Sequence, residues 1–214
     1  MSTSFWCKSW RVRFLCLHNV SIPARVLLES ILDLDKQLFL AINGLSGTNL
    51  FDQLMLFISA RWPWAVVILS VALVTVIKRQ WSALKVVLVS LAVMGCCDAF
   101  TAYGLKNNLE RPRPCYALEG VNLVQPSCGS KFGFPSNHAA NGAAIAMAVF
   151  FLTRNLRYSL VLAALVAAVC FSRVYLGVHY PLDVLAGALF GSLFAFTVLK
   201  ASERLRPTFF KALR

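Results

Sequence analysis

The segment from Cys170 to Asp183 (CFSRVYLGVHYPLD) places a cation, an imidazole and a carboxylate between two apolar runs. Pro181 suits the first turn of a helix, so Asp183 should lie near the positive helix end, within reach of His179. A carboxylate on one ring nitrogen leaves the other nitrogen basic, and Arg173 adds donors that match phosphate oxygens. From these residues alone, a structural Asp–His helix start beside an Arg that reaches the membrane surface is the alternative.

Two further segments carry polar groups at the ends of apolar runs. In KNNLERPRP, Lys106 follows an apolar run and Arg113 lies between two prolines that stiffen the backbone. In FPSNH, Ser136 is a good helix cap, and the free amides after it form an anion site with His138 one turn in. Together the three segments supply cations, a helix start and two imidazoles, a set that suits a phosphate group.

The composition indicates an integral membrane protein. Of the 214 residues, 58% are hydrophobic and only 14% are charged, against roughly 25% charged in soluble domains. The net charge of +12 does not indicate nucleic-acid binding, because the basic residues stand at the ends of apolar runs rather than along one polar face. Anionic lipid headgroups of the bilayer are the expected partners of this surplus, and no obligate protein partner is predicted.

We predict an all-α, polytopic membrane helix bundle with a single transmembrane domain. Five apolar runs approach the ~20 residues that a bilayer crossing needs, and a sixth crossing through 50–60 is the alternative. The five runs are 62–78, 82–105, 135–153, 158–172 and 181–199. The predicted divisions are a basic amino-terminal segment 1–25, amphipathic and interfacial helices 26–60, a transmembrane domain 61–200 and a basic cytoplasmic tail 201–214.

Residues 26–44 have apolar positions at helical spacing, with charged residues that include Asp33 and Asp35 on the other side. An amphipathic helix lying on the membrane is therefore predicted. Clusters of Lys and Arg follow the first, third and last predicted spans, and the positive-inside rule assigns them to the cytoplasm. The three chemistry-bearing segments then face outward. With five spans the basic amino terminus would lie outside as well, which the same rule disfavours.

The three segments resemble the signature of the type 2 phosphatidic acid phosphatases, the membrane branch of a group that includes the vanadium haloperoxidases. That pattern is Lys, six residues, Arg-Pro; then Pro-Ser-Gly-His; then Ser-Arg, five residues, His, three residues, Asp. Here it reads Lys106…Arg113-Pro114, Pro135-Ser136-Asn137-His138 and Ser172-Arg173…His179…Asp183. Asn137 replaces the usual Gly; Asn is the next most tolerant residue of positive φ. We therefore expect activity to survive, with substrate preference left open.

The resemblance implies the haloperoxidase-like helical core and a mechanism that agrees with the residues. His179, oriented by Asp183, would attack phosphorus and form a phosphohistidine, while His138 would protonate the leaving oxygen and later activate water. The phosphoryl oxygens would be held by Lys106, Arg113, Ser136, Asn137 and Arg173. No metal or other cofactor is required, and the chain lacks the carboxylate clustering of a magnesium site.

Asp98 and two cysteines are further candidates. Asp98 lies within a predicted span about two turns before Lys106, where it would either steady Lys106 or Arg173 or make an interhelical hydrogen bond. Cys115 and Cys128 flank the outer loop. A disulfide between them would contribute roughly 3 kcal/mol in the chain-entropy model, and two free thiols are the alternative.

The predicted function is hydrolysis of an outward-facing phosphate on a membrane lipid at a bacterial inner membrane. The lead-in DKQLFLAINGLSG and the small size most resemble the undecaprenyl-diphosphatase and lipid A phosphatase branches. Phosphatidylglycerol phosphate and phosphatidic acid are less favoured substrates. A phosphotransferase that discharges the phosphohistidine onto a lipid hydroxyl, and a non-enzymatic membrane scaffold, are the alternatives. The isolated His18 is predicted to have no catalytic role.

Overall fold

The computed structural model describes residues 22–212, so most of the predicted basic segment 1–25 lies outside the described residues. Apart from one isolated β-bridge, the regular structure of this part is helical, which confirms the predicted all-α class. The helices are α1 (Ile22–Asn43), α2 (Asn49–Ser59), α3 (Arg61–Ile77), α4 (Trp81–Ala99), α5 (Lys106–Leu109), α6 (Pro114–Ala117), α7 (Asn137–Thr153), α8 (Leu156–Tyr175), α9 (Pro181–Leu205) and α10 (Pro207–Lys211). A π-helical segment, Phe100–Leu105, joins α4 to α5.

Three helical stretches between residues 22 and 212 are long and apolar enough to cross a membrane. They are Trp81–Leu105, Leu156–Tyr175 and Pro181–Leu205. Helices α2 and α3 form a fourth candidate only as a pair, with a bend of 53° between them. Helix α7 has 17 residues, about 25 Å at 1.5 Å per residue, against ~30 Å of hydrocarbon. Three or four spans are therefore supported, and five stays a prediction.

Helix α7 packs against α4, α8 and α9, and its closest partner is α9. Gly187 and Gly191 of α9, four residues apart, face the alanine-rich side of α7. A Cβ added at Gly191 would overlap the backbone carbonyl of Ala140, so the two helix backbones lie in direct contact. This is the close approach that small residues four apart allow between membrane helices.

The chain direction brings the ends of four helices to one end of the bundle. Helices α7 and α9 begin there, whereas α8 and the extension of α4 end there. The backbone N–H of Ser136, just before α7, donates to the carbonyl of Asp183 in the first turn of α9 at 2.9 Å. The side-chain amide of Asn137 donates to the Asp98 carboxylate, near the end of α4, at 2.8 Å. The predicted site residues therefore come from neighbouring helix ends.

The carboxy-terminal residues are helical and contribute to the core. Helix α9 continues past the predicted domain boundary at residue 200 and ends at Leu205. Helix α10 follows, and its Phe210 is buried in the same apolar cluster as Leu199, edge-on to Phe151. Part of the predicted basic tail is therefore packed against the helix bundle.

Helix α1 agrees with the predicted helix 26–44, but one of its charged residues is placed differently. Asp33 is exposed, whereas Asp35 is only 2% exposed and is bound by Arg111 and by the first turn of α9. The prediction that Asp35 lies on the polar face of this helix is therefore wrong. Helical periodicity identifies a charged side chain, and the contacts of this one come from segments far along the sequence.

We expect Gly191→Ala to lower the free energy of unfolding by about 1–3 kcal/mol, because the added methyl group forces α9 away from the α7 backbone. Gly95→Ala is the matched control: it also lies within a helix, but nothing lies within 4 Å of its added Cβ. That change should be neutral or stabilising by up to about 1 kcal/mol. Thermal unfolding in detergent measures both variants, and equal effects would contradict the close α7–α9 packing.

Candidate active site

The start of α9 holds the buried pair formed by His179 and Asp183. Pro181 is the first residue of α9, and Asp183 follows in its first turn. The Asp183 Oδ2 atom accepts a hydrogen bond from the backbone N–H of Tyr180 at 3.0 Å and lies 3.3 Å from His179 Nδ1. The side chains of both His179 and Asp183 are almost fully buried. The contact predicted from the four-residue spacing is therefore present.

The guanidinium of Arg113 determines the tautomer of His179. Arg113 Nη1 lies 2.7 Å from His179 Nε2, and a guanidinium offers donors only. Nε2 must therefore accept, so the ring proton is on Nδ1 and faces Asp183. Burial, with the positive charge of Arg113 second, lowers the pKa of His179 well below its ordinary value, so the ring is neutral at pH 7. A neutral imidazole with a lone pair on Nε2 is the form that a nucleophile requires.

Arg113 and Arg111 both reach this pair from a short antiparallel pairing of residues 111–113 with 131–133. The backbone N–H of Arg113 donates to the carbonyl of residue 131, and the N–H of residue 133 donates to the carbonyl of Arg111. Residues two apart in an extended chain point to the same side. Both guanidiniums consequently face the start of α9. The disulfide between Cys115 and Cys128, whose Cα atoms are 6.4 Å apart, closes the same loop.

Gly133 contacts the site residues, although it lies outside the three sequence motifs. A Cβ added here would lie 2.9 Å from Arg113 Cγ, 3.2 Å from Asp183 Oδ2 and 3.4 Å from His179 Nδ1. The pairing of the loop strands therefore presses this glycine directly against the His–Asp pair. Its only sequence signal is a small residue beside FPSNH, which is too common to identify a site.

Ser136 stands at the start of α7, but its side chain does not cap the helix. Its hydroxyl makes no hydrogen bond to the amides of the first turn, which corrects the predicted cap. The oxygen is fully buried and has no hydrogen-bond partner among residues 22–212. This hydroxyl, together with the amides at the positive end of α7, is therefore available to an anion.

Asp98 connects α4 to the beginning of α7. Its Oδ1 atom accepts hydrogen bonds from Asn137 Nδ2 at 2.8 Å and Asn141 Nδ2 at 2.7 Å. The interhelical hydrogen bond, one of the two predicted roles, is thus present, while Lys106 interacts with Asp98 electrostatically. Asn137 has helical geometry and does not need a positive φ. Its side-chain amide is engaged by Asp98.

Arg173 approaches from the end of α8 and is held by neutral groups. Its Nη1 donates to the hydroxyl of Ser59 in α2 and, at 3.2 Å, to the side-chain carbonyl of Gln125. Its Nε is buried and has no hydrogen-bond partner within the described part of the chain. Because neither acceptor carries a charge, the guanidinium keeps its full charge for an anion. The sequence contains no local signal for Ser59 or Gln125.

Lys106 and His138 are the last two of the predicted catalytic and phosphate-binding residues. Lys106 follows the π-helical segment, a local widening that often occurs at functional sites. Burial, with the nearby charge of Arg113 second, lowers the pKa of Lys106 to about 8. His138, half-buried in the first turn of α7, lies within electrostatic range of Arg173 and His179. All the catalytic and phosphate-binding residues predicted from the sequence therefore lie at one end of the bundle.

Arg111 also belongs to the site, although it is not one of the motif residues. Its two terminal nitrogens bind two carboxylates, Asp183 Oδ1 at 2.6 Å and Asp35 Oδ2 at 2.6 Å. The Arg-Pro-Arg-Pro spacing is the signal that could have identified it, since Arg111 and Arg113 share one face of an extended segment.

Between residues 22 and 212, no group of three or more His, Cys, Asp or Glu residues is arranged to hold a metal ion.

Comparison with known proteins identifies the class of this site. The model of the PAP2 superfamily matches residues 59–207. The chain belongs to this superfamily, as the three motifs predicted, and it is a membrane phosphatase.

Several curated relatives cover most of the chain. It is 32% identical to the lipid A 4'-phosphatase of Porphyromonas gingivalis over 179 residues, which are 81% of this chain and 75% of the relative. It is 30% identical to the undecaprenyl-diphosphatase BcrC of Bacillus subtilis over 173 residues, 80% of this chain and 86% of the relative.

Two solved structures are similar. Aquifex aeolicus LpxE matches with a TM-score of 0.58 and 27% identity, over 78% of this chain and 95% of that chain. A PAP2-type phosphatidylglycerolphosphate phosphatase from Bacillus subtilis matches with a TM-score of 0.62 and 27% identity, over 82% of this chain and 87% of that chain.

The lowered pKa of Lys106 predicts the pH dependence of activity. Below pH 8 the amine is protonated and attracts phosphate; as the pH rises through about 8 the charge is lost. We therefore expect kcat/KM, which reports the free enzyme, to fall on the alkaline side with an apparent pKa near 8. Lys106→Arg stays charged and should move this limb to higher pH. An unchanged limb in the Arg variant would show that another group titrates there.

Proposed function

We propose that this protein hydrolyses a phosphate group from a membrane lipid through a phosphohistidine on His179. The observation that carries the proposal is a neutral, oriented imidazole beside two buried guanidiniums whose hydrogen-bond acceptors are uncharged. Arg113 binds His179 Nε2 and the carbonyls of Ser130 and Val178, while Arg173 binds a hydroxyl and an amide. A site that concentrates positive charge around a nucleophile suits phosphoryl transfer.

In the first step, the Nε2 lone pair of His179 attacks phosphorus and the bond from phosphorus to the lipid oxygen breaks. Arg113 exchanges its contact with Nε2 for a phosphoryl oxygen, so that the lone pair becomes free as the substrate binds. The negative charge of the bound phosphate favours the protonated form of His138, which donates its proton to the departing lipid oxygen. The Nδ1 proton of His179 stays directed at Asp183, which stabilises the positive charge that develops on the ring.

In the second step, His138, now neutral, accepts a proton from water as the water oxygen attacks phosphorus. The bond from phosphorus to Nε2 breaks and inorganic phosphate leaves. Lys106, Arg113, Arg173 and the Ser136 hydroxyl bind the phosphoryl oxygens in both transition states. The chain's own cations supply the charge stabilisation, so no metal is needed for either step.

For the substrate, we propose undecaprenyl diphosphate or lipid A, because relatives that cover most of this chain are named for these activities. We place the site on the extracytoplasmic face of a bacterial inner membrane. The opposite helix ends carry the basic clusters, with Lys78 after α3, Arg154 after α7 and Arg204 at the end of α9. The positive-inside rule assigns those ends to the cytoplasm.

His179→Ala should abolish release of inorganic phosphate, because the variant lacks the Nε2 atom that attacks phosphorus. His138→Ala should do the same, because the proton donor for the lipid oxygen is lost. The assay uses the purified protein in detergent with EDTA and a panel of undecaprenyl diphosphate, lipid A, phosphatidylglycerol phosphate and phosphatidic acid. His18→Ala changes the remaining one of the chain's three histidines; it is the matched control and should keep parental activity.

Substantial activity in the His179 variant would refute the nucleophile assignment, and loss of parental activity in EDTA would refute the metal-free mechanism. Rapid acid quenching followed by peptide mass spectrometry provides a second measurement. A phosphate on the peptide that contains His179, absent after His179→Ala, is the expected result. The relative rates across the panel identify the preferred lipid.

A further inference from the structure

One face of α1 is buried against the catalytic end of the bundle. Asp35, Phe39 and Asn43, spaced four residues apart, are each no more than 2% exposed. The ring of Phe39 packs edge-on against Tyr180, with centroids 5.4 Å apart. The amide of Asn43 donates to the carbonyls of Asn122 and Tyr175, each at 2.8 Å. Helix α1 precedes residues 59–207, the part of the chain that the family model matches.

Asp35 is the charged member of this face, and both of its oxygens are used. Oδ2 accepts from Arg111 Nη2 at 2.6 Å, and Oδ1 accepts from the backbone N–H of Leu182 at 2.8 Å. The second contact satisfies a free amide in the first turn of α9. Arg111 continues from Asp35 to Asp183, and Asp183 continues to His179. Four buried side chains therefore form one continuous series of contacts that ends at the catalytic imidazole.

We propose that α1 is part of the active site and that Asp35 is a positioning residue, which acts through Arg111 on the Asp183–His179 pair. The inference rests on the proposed function, since it concerns the reactivity of His179. Asp35 supplies the second carboxylate that fixes the plane of the Arg111 guanidinium, because each terminal nitrogen donates a charge-assisted hydrogen bond to a different carboxylate. The guanidinium also lies 4.3 Å from the Tyr180 ring centroid, which keeps it over the start of α9.

The number of carboxylates bound to Arg111 affects the charge that its guanidinium exerts on Asp183. With Asp35 in place, Arg111 shares its charge between two carboxylates. Without it, the full guanidinium charge acts on Asp183, which weakens Asp183 as an acceptor for the Nδ1 proton of His179. The His179 ring then becomes less nucleophilic at Nε2. The hydrogen bonds to Asp35 come from Arg111 and Leu182 rather than from the phosphate-binding cations Arg113 and Arg173. Its removal should therefore lower kcat with little change in KM.

The test compares Asp35→Asn with Asp33→Asn on the full chain. Asn keeps the shape of Asp35 and an oxygen for the Leu182 amide, but it removes the charge. We expect kcat to fall about 10- to 100-fold, as for other residues that orient a catalytic group, with KM within about threefold. The exposed Asp33 is the matched control on the same helix, and Asp33→Asn should leave both constants unchanged. Asp35→Glu should restore part of kcat.

A purely structural role for Asp35 predicts a different outcome. If the role is only structural, Asp35→Asn should lower thermal stability and leave kcat of the folded fraction unchanged. Asn43→Ala should show this behaviour by design, because it loosens α1 without changing a contact of Arg111. A double-mutant cycle separates the two roles further. In a variant that already carries Asp183→Asn, the change Asp35→Asn should lower kcat little more, because both changes act on one interaction. Independent, multiplicative losses would overturn the proposal.

A measurement without turnover keeps the inference separate from the proposed function. Selective 15N labelling of histidine gives three imidazoles, and His179→Ala assigns the relevant one. We expect Asp35→Asn to weaken the hydrogen bond at Nδ1 of His179, seen as a shift of its 15N and 1H resonances, whereas Asp33→Asn leaves them unchanged. Unshifted resonances in Asp35→Asn would overturn the inference even if the parent is an active phosphatase. A parent that releases no phosphate would count against the proposed function alone.

Discussion

The carboxylate of Asp183 is the point on which the geometry of the site depends. A buried carboxylate is costly unless its oxygens are bound, and this one accepts from Arg111, from the Tyr180 amide and from His179. Its backbone carbonyl receives the Ser136 amide as well. The loop that carries the arginines, the start of α9 and the start of α7 are therefore held at one residue. A displacement of any of these elements changes the acceptor that orients His179.

Backbone packing between α7 and α9 sets the distance between the two halves of the site. Gly187 lies against Ser136, where an added Cβ would press on the Ser136 carbonyl, and Gly191 lies against Ala140 one turn deeper. Side chains of ordinary size here would push the start of α7 away from α9. The Ser136 hydroxyl and His138 would then move away from the Nε2 atom of His179. The small residues of α7 and α9 thus determine the geometry of the proposed active site, although they lie outside it.

The sequence predicted the parts of the site that local spacing encodes. The four-residue step from His179 to Asp183 and the position of Pro181 determine a helix start, and chain direction brings the three motifs to one end of the bundle. Partners from distant segments could not be predicted, because periodicity carries no information about tertiary neighbours. Helical periodicity places Asp35 on a polar face, whereas the side chain is buried and bound by Arg111. The amide of Asn137, predicted to bind phosphate, is engaged by Asp98. Other unpredicted contacts involve Ser59, Arg111, Gln125 and Gly133.

The arginines of the site divide into two groups by the charge of their acceptors. Arg111 is neutralised by Asp35 and Asp183, whereas Arg113 and Arg173 bind carbonyls, a hydroxyl, an amide and an imidazole. An ion pair already satisfied by carboxylates has little left to offer a phosphate, so Arg111 is suited to holding structure. Buried guanidiniums bound to neutral groups keep an unbalanced charge that an anionic substrate relieves. The same burial that makes this arrangement costly in the free protein therefore strengthens its interaction with a phosphoryl group.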